Sequence, residues 1–253
     1  MYDYDVILSF ITAFTLTYFA IPSVIRIAKI KGLTDEPGER RSHTVSTPSL
    51  GGIAIFAGTL FAIMLWTPFH EYGGDLQYIL CSFIIIFLIG AKDDIDPISP
   101  TKKLVGEILA ASILVFKSDV ILTEGLADIF GVSSVPMFLT VPLTIFTILV
   151  IINAFNLIDG INGLSGSIAV LISGTLGTWF LFVQRYDLAI VAFSLARAVV
   201  AFLKYNYTPA KIFMGDTGAL LIGLICSILT IRFIELDYQL EDGHPFKINA
   251  APA

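Results

Sequence analysis

The amino-acid sequence predicts an all-α fold, a bundle of helices that crosses a membrane several times. Of the 253 residues, 56% are hydrophobic and only 14% are charged, and the mean hydropathy is +0.84. Apolar runs of roughly 20 residues, the length needed to cross the hydrocarbon of a bilayer, recur along the whole chain. This pattern leaves little room for a soluble acidic enzyme with one large core.

Eight segments have the composition of membrane spans. In chain order they cover residues 6–29, 51–68, 77–91, 104–122, 137–152, 164–183, 186–203 and 217–234, and a ninth span is expected to open near residue 248. The first segment follows Asp3 and Asp5 rather than basic residues and is longer than the core of a signal peptide, so we interpret it as a retained helix. No internal repeat or low-complexity linker divides the chain, so we expect one integral-membrane domain over residues 1–253.

Lysine and arginine residues are concentrated in three connections between these segments, and this concentration predicts the orientation of the chain. The three connections, with their flanks, carry Arg26, Lys29, Lys31, Arg40, Arg41, Lys92, Lys102, Lys103, Lys204 and Lys211. The connection at 69–76, on the opposite side, has no basic residue. Because short cytoplasmic loops carry the excess of Lys and Arg, we expect the basic connections in the cytoplasm and the N-terminus outside.

The polar motifs of the chain all fall on this cytoplasmic side. They contain the carboxylates Asp93, Asp94, Asp159 and Asp216, the carboxamides Asn153, Asn156 and Asn206, and the cations Arg40, Arg41, Lys102, Lys103 and Lys211. Ionisable groups at the edge of a bilayer are costly and persist mainly where they serve a function. Oxygen ligands of this kind suit Mg²⁺, which usually binds through one or two carboxylates together with substrate phosphates. The motifs therefore predict a phosphoryl-transfer site in which basic side chains neutralise the remaining phosphate charge.

The spacing of one motif indicates that its side chains share a site. Asn153, Asn156 and Asp159 recur every three residues, so that in a helix they lie on one polar face of an otherwise apolar segment. Gly160 and Gly163 follow, and glycines at these positions let the backbone turn or approach a ligand closely.

Each motif also has a structural explanation. Asp216, just before the predicted helix over 217–234, could be its N-cap, or it could face a ligand at the positive end of that helix. Asn153 and Asn156 could form hydrogen bonds between helices. The run Asp93-Asp94-Ile-Asp96 is typical of a turn with a cap. The occurrence of four such groups on one membrane face favours the functional interpretation.

The same motifs, in this order, resemble a known family of membrane enzymes. They are Asp93-Asp94 followed by Lys103, Asn153-Ala-Phe-Asn156-Leu-Ile-Asp159-Gly160, and Asn206-Tyr-Thr-Pro209-Ala-Lys-Ile-Phe213-Met-Gly-Asp216-Thr-Gly218. They are similar to the motifs of the polyprenyl-phosphate N-acetylhexosamine-1-phosphate transferases of glycosyltransferase family 4. Within the family, the chain most resembles the bacterial branch that loads undecaprenyl phosphate from UDP-GlcNAc, a branch related to the phospho-MurNAc-pentapeptide translocase. The resemblance covers essentially the whole chain.

The resemblance implies a Mg²⁺-dependent reaction, with Mn²⁺ as an alternative ion. The lipid phosphate attacks the β-phosphorus of a UDP-N-acetylhexosamine, which gives a lipid-diphosphate sugar and UMP and initiates the synthesis of a cell-wall or surface polysaccharide. The implied location is the bacterial cytoplasmic membrane, with the active site on its cytoplasmic face. The implied partners are the UDP-sugar, undecaprenyl phosphate and the lipid bilayer, without nucleic acid, and a homodimer stays open.

The resemblance also implies roles for individual residues. Asp216 and Asn156 correspond to positions of the metal site. The positions implied in catalysis are Asp93, which corresponds to the carboxylate proposed to act on the lipid phosphate, Asp94 and Asp159. The positions implied in substrate binding are Lys103 at a phosphate, Asn206 and Phe213 at the nucleotide, and the basic pair Arg40 and Arg41.

Three positions within the chain depart from the family pattern. Asn162 stands where relatives often carry a second Asp, and a carboxamide cannot act as a base. Arg197 and Ala201 stand where the family usually has glycines, and Arg197 would place a charge inside the predicted span over 186–203. We expect Arg197 to snorkel toward the cytoplasm, to pair with a carboxylate, or to alter the packing of the helices.

The C-terminal part departs furthest from the family pattern. Relatives continue beyond the segment that ends at Ala253 into further spans and a loop with a His-x-His-His motif, which His43, His70 and His244 do not rebuild. We therefore expect a truncated member of the family. Two alternatives stay open: a catalytically inactive truncated member, and an ion-coupled transporter, which would place carboxylates near the bilayer midplane in two matching halves.

Overall fold

The computed structural model describes residues 3–35, 46–129, 131–132 and 134–248, and in this part the chain folds as a helix bundle. Its helices are α1 (Asp3–Lys31), α2 (Gly51–Trp66), α3 (Phe69–Ile95), α4 (Pro100–Lys117), α5 (Glu124–Ile129), α6 (Met137–Ile158), α7 (Leu164–Phe182), α8 (Tyr186–Asn206) and α9 (Gly215–Gln239). Two short strands, β1 (Thr34–Asp35) and β2 (Thr47–Pro48), pair antiparallel between α1 and α2. The predicted all-α class is confirmed.

Each of the eight predicted spans corresponds to a helix, but the one predicted over 104–122 is helical only as far as Lys117. Within the described residues, six helices are long and apolar enough to cross a membrane, namely α1, α3, α6, α7, α8 and α9. The helix α2 is apolar but has only 16 residues. The helix α4 is distinguished by its charges, because Lys102, Lys103, Glu107 and Lys117 lie within its 18 residues. The chain is thus a multi-pass membrane protein, while its orientation, its single domain and the ninth span stay predictions.

The two helices α8 and α9 form the centre of the bundle. The helix α8 packs between α1 and α7, and α9 packs against α3 and α6. The middle of α9, from Thr217 to Leu229, is buried throughout. Outer helices instead leave large apolar side chains such as Phe19 and Phe146 exposed, as expected for helices that face lipid. The buried position of α9 places its first residues among the ends of several neighbouring helices.

The backbone of α9 approaches two other helices very closely at its N-terminus. A Cβ atom added to Gly52 of α2 would lie 2.6 Å from the Cα atom of Gly218, and one added to Gly90 of α3 would lie 2.5 Å from the Cα atom of Thr217. Glycines therefore allow these helices to meet at a distance that any side chain would prevent.

Backbone hydrogen bonds fix the segment that leads into α9. The N–H group of Phe213 donates to the carbonyl of Pro48 at 2.7 Å, and Gly51 and Gly52 donate to the carbonyls of Phe213 and Met214 at 3.0 and 2.8 Å. The start of α2 and the start of α9 are thereby held side by side. This pairing forms one wall of the end of the bundle at which the predicted site residues meet.

Arg197 of α8 makes a contact that differs from the three expected ones. Its guanidinium carbon lies 3.6 Å from the centre of the Phe10 ring of α1. A guanidinium over an aromatic face gains a cation–π attraction, which is larger where water is excluded. The charge within the span is thus placed against an aromatic ring of the neighbouring helix.

Candidate active site

The candidate site is centred on the Lys103 ammonium group, near the start of α4. Its nitrogen lies 3.3 Å from Oδ2 of Asp93, in the last turn of α3, and forms an ion pair with Oδ2 of Asp216, in the first turn of α9. The side chains of Lys103 and Asp93 are each 14% exposed. Because water is largely excluded from this contact, the attraction is stronger than in a surface pair. Residues more than 100 positions apart in the sequence are therefore brought to one point.

Asn156 joins this cluster from the last turn of α6. With its carboxamide oriented to satisfy its neighbours, its nitrogen donates to Oδ1 of Asp216 at 2.9 Å, and its oxygen accepts a hydrogen bond from Lys103 at 3.1 Å. The Lys103 ammonium is thus surrounded by oxygens from three other helices. The structure brings together Asp93, Lys103, Asn156 and Asp216, four of the site residues predicted from the sequence.

Asp94 binds the N-terminus of α9 rather than the Lys103 cluster. One carboxylate oxygen accepts from the backbone nitrogen of Asp216 at 2.7 Å, and the other accepts from the backbone nitrogen and the hydroxyl of Thr217 at 3.0 and 2.5 Å. The N-cap residue of α9 is Met214, which makes no side-chain cap. Asp94 therefore acts as the cap from another helix, and the side chain of Asp216, which the sequence offers as an N-cap, faces Lys103 and Asn156 instead.

Gly215 is required for the contact between Asp94 and α9. It has a φ of +73°, and an added Cβ would lie 2.7 Å from both carboxylate oxygens of Asp94. Only glycine adopts this backbone conformation without strain and leaves room for the carboxylate.

Asp93 uses its two oxygens differently. Oδ1 accepts from the backbone nitrogen of Ile98 at 2.8 Å, and Oδ2 faces Lys103. Asp96, two residues after Asp94, is instead exposed and pairs with Lys92. The three carboxylates of the motif thus divide into one at the Lys103 cluster, one that caps a helix and one at the surface.

Asp159 lies directly after α6 and is held by the connection to α7. Its Oδ1 accepts a hydrogen bond from the hydroxyl of Ser165, and Gly163, with a φ of +79°, provides the turn that brings Ser165 back. Burial raises the pKa of the Asp159 carboxyl to about 7, and the negative charges of Asp216 and Asp94 act in the same direction. The Asp159 carboxyl therefore holds its proton more strongly than an ordinary aspartate does.

Asn206, predicted at the nucleotide, braces two connections. Its oxygen accepts from the backbone nitrogen of Gly163 at 2.7 Å, and its nitrogen donates to the carbonyl of Ile212 at 3.0 Å.

Phe213 is partly buried in the segment before α9. Gly160 has open space around its Cα, whereas Arg40 and Arg41 lie outside the described residues.

A cavity of about 290 Å³ opens beside the Lys103 cluster. It is lined by Asp93, Ile98, Pro100, Lys103, Leu104, Glu107, Asn153 and Asn156. Glu107, only 1% exposed, is absent from the set of site residues predicted from the sequence. The signal that could have identified it is a carboxylate within a predicted apolar span, four residues after Lys103 and so on the same helix face.

A comparison with protein families identifies the family of the chain. The model of glycosyl transferase family 4 matches residues 76–234, which contain all the described residues of the cluster. The chain belongs to glycosyl transferase family 4.

Several members of glycosyl transferase family 4 can be aligned with most of the chain. The probable undecaprenyl-phosphate N-acetylglucosaminyl 1-phosphate transferase of Bacillus subtilis is 31% identical over 229 residues, which are 89% of this chain and 62% of the relative. The undecaprenyl-phosphate alpha-N-acetylglucosaminyl 1-phosphate transferase of Escherichia coli K12 is 32% identical over 93% of this chain and 63% of its own length. The phospho-N-acetylmuramoyl-pentapeptide-transferase of Enterococcus faecalis is 28% identical over 90% of this chain and 75% of its own length.

The oxygens of this family 4 site fit a hard cation. No group of three or more His, Cys, Asp or Glu side chains with metal-binding geometry occurs among the residues that the structure describes. However, Mg²⁺ needs only one or two carboxylates when phosphates and water complete its shell. Asp216 and Asn156 already share a cation, the Lys103 ammonium. They are therefore the residues that could hold a metal ion next to a bound diphosphate.

Proposed function

We propose that this family 4 chain transfers an N-acetylhexosamine 1-phosphate, with GlcNAc as the sugar, from a UDP-sugar to undecaprenyl phosphate. The observation that carries the proposal is the partly buried Lys103 ammonium between Asp93, Asn156 and Asp216, beside a cavity at the end of a membrane bundle. Such a position suits an acceptor with a lipid tail and a donor that is a water-soluble anion. The Bacillus and Escherichia relatives are named as transferases of this kind, which supports the same reaction.

The reaction is an exchange of phosphate esters. An oxygen of the lipid phosphate forms a bond to the β-phosphorus of the UDP-sugar, the bond from that phosphorus to the bridging oxygen breaks, and UMP leaves with the electron pair. In the proposed site Lys103 contacts a phosphate, and Asp93, next to it, accepts the proton that the lipid phosphate loses. Fixed charges of this kind stabilise the charge that develops during phosphoryl transfer.

We propose Mg²⁺ as the metal ion, with Mn²⁺ as the alternative, held by Asp216 and Asn156. When bound, the ion would neutralise part of the charge of the diphosphate. The charges of the cluster support this assignment, because its two carboxylates, Asp93 and Asp216, outnumber its one cation, Lys103. Lys92, Lys102 and Lys103 lie at the same end of the bundle, which supports a site on the cytoplasmic face of the bacterial membrane.

A membrane assay with radiolabelled UDP-GlcNAc and undecaprenyl phosphate tests the proposed function. We expect chloroform-soluble label that requires Mg²⁺, and a loss of at least about 100-fold in Asp216→Asn and Asp93→Asn, because each removes a charge from the reacting centre. The matched control is Asp96→Asn, since the Asp96 side chain is 71% exposed and pairs only at the surface; we expect it to keep its activity within about twofold.

Two further experiments test which UDP-sugar is the donor and whether the chain is long enough to be active. UDP-MurNAc-pentapeptide replaces UDP-GlcNAc in a parallel assay, because the Enterococcus relative bears the name of a transferase for that sugar peptide. Since the chain spans 62% of the Bacillus relative, the assay is repeated on a fusion in which the remaining segment of that relative follows Ala253. Absence of lipid-linked label from both proteins, with either donor, would contradict the proposed function.

A further inference from the structure

A second pair of polar side chains joins α4 to α6 one helical turn away from the Lys103–Asn156 contact. Oε2 of Glu107 accepts a hydrogen bond from the side-chain nitrogen of Asn153 at 2.8 Å. Glu107 follows Lys103 by four residues, and Asn153 precedes Asn156 by three. Because residues three or four apart lie on one helix face, the two pairs form adjacent steps between the same two helices.

The Glu107–Asn153 pair has the features of a fixed arrangement. Glu107 is 1% exposed, and a buried carboxylate is costly unless it is hydrogen-bonded. The side-chain nitrogen of Asn153 also donates to the carbonyl of Leu149 at 2.9 Å, so that both of its hydrogens are used. The orientation of Asn153 is therefore set by its own helix on one side and by Glu107 on the other.

Few polar contacts determine how α6 sits against α4. Among the described residues, the Glu107–Asn153 and Lys103–Asn156 contacts are the side-chain hydrogen bonds between these two helices. Lys103 and Asn156 both belong to the site, and we expect both to change partners when substrate binds. Glu107 and Asn153 are then the polar contact that stays in place between α4 and α6.

We infer that Glu107 is a positioning residue, which through Asn153 holds the last turns of α6 so that Asn156 meets Asp216. The inference rests on the proposed function, because it takes Asn156 and Asp216 as the metal-binding pair. Partners that orient a ligand in this way commonly change metal affinity by 10- to 100-fold when they are removed.

Metal binding measured apart from catalysis tests the inference. Free Mn²⁺ is followed by its electron paramagnetic resonance signal during titration of the purified chain, in detergent and without substrate. We expect Glu107→Ala and Asn153→Ala each to weaken Mn²⁺ binding by about tenfold, and the double variant to be no weaker than either single one, since both remove the same contact. Glu107→Gln keeps an acceptor oxygen for Asn153, and we expect it to restore binding to within about threefold of the wild type.

Two further measurements separate positioning from other roles. Ile108→Ala, at the neighbouring and 39% exposed position of α4, is the control and should bind Mn²⁺ as the wild type does. Thermal unfolding of every variant in the same detergent identifies any that has lost its fold. If Glu107→Gln binds Mn²⁺ as weakly as Glu107→Ala, the charge and not the hydrogen bond is what matters, and the inference is wrong.

The outcomes also distinguish the inference from the proposed function. Two results would overturn the metal site and the positioning role together: the wild-type chain binds no Mn²⁺ at all, or the Asp216→Asn variant binds Mn²⁺ as tightly as the wild type does. Wild-type binding that depends on Asp216 but is unchanged in Glu107→Ala would overturn the positioning role alone.

Discussion

The acidic residues of the site differ because their surroundings differ. Asp94 gives both oxygens to the first N–H groups of α9, whereas Asp93 turns one oxygen to Lys103. Asp159 is partly buried and accepts a hydrogen bond from one hydroxyl group, that of Ser165. Identical side chains thus become a helix cap, the partner of a cation and a group that is partly protonated at neutral pH.

Asp159 should make the stability of the protein fall as the pH rises. Its folded pKa of about 7 lies above the ordinary value of 3.8, so the folded state binds the proton more tightly. The stabilisation is complete below the ordinary value and is lost as the pH rises through about 7. We expect the wild type to lose about 2 kcal/mol more than Asp159→Asn between pH 5 and pH 8.

Thermal unfolding in detergent without divalent ions, at pH 5 and pH 8, provides the measurement for Asp159. Asp96→Asn is the control, because the pKa of Asp96 is lowered by Lys92 and its titration lies below this pH range. The prediction is wrong if the unfolding midpoints of the wild type and of Asp159→Asn change by the same amount between pH 5 and pH 8.

At the scale of the elements, the site depends on how closely α2 and α3 approach the start of α9. The helices touch through backbone atoms at Gly52, Gly90 and Gly218. Asp216 is in the first turn of α9, so any increase in these separations also moves its carboxylate. Packing at the glycines and geometry at the cluster are therefore coupled.

Gly52→Ala should destabilise the bundle and reduce activity together. The added methyl group would lie 2.6 Å from the Cα atom of Gly218, and such overpacking commonly costs 1–3 kcal/mol. Gly174→Ala in α7 is the matched control, because nothing lies within 4 Å of its added Cβ. We expect a lower unfolding midpoint and lower transferase activity for Gly52→Ala alone. Equal midpoints for the two variants would show that α2 and α9 can separate without cost.

The long helices were predictable from the sequence, the short helix α5 was not, and the partners of the site residues were predictable only in part. Apolar runs determine spans locally, because each must be long enough to cross the bilayer. The meeting of Asp93 and Asp216 followed from their places at span ends on one membrane face. The capping by Asp94 and the brace by Asn206 depend on tertiary contacts, which no local pattern encodes. Glu107 was not predicted because it lies within a predicted apolar span, whereas the other carboxylates of the site lie in connections or at span ends.

At the scale of the whole molecule, the Lys103 cluster lies at one end of the bundle. The cluster lies at the start of α9, and this helix of 25 residues extends about 37 Å before the chain reaches Asp242. The end with the cluster carries Lys92, Lys102 and Lys103. A cytoplasmic location of that end would give the site access to nucleotide sugars, which are charged and do not cross the membrane.

Cysteine labelling tests this orientation. In a Cys81→Ala, Cys226→Ala background, a cysteine replaces either Asp96 or Asp242, whose side chains are 71% and 99% exposed. We expect a membrane-impermeant maleimide to label Asp242→Cys in intact cells and Asp96→Cys only after lysis, because the basic connections stay inside. Labelling in the reverse order would place the site outside the cell.

The ammonium group of Lys103 also affects how the helices assemble in the membrane. Acidic side chains that gather at converging helix ends repel one another while the chain inserts and the helices associate. The positive charge of Lys103 is part of α4, so every copy of the protein carries it. We expect this ammonium to offset part of the repulsion while this end of the bundle assembles.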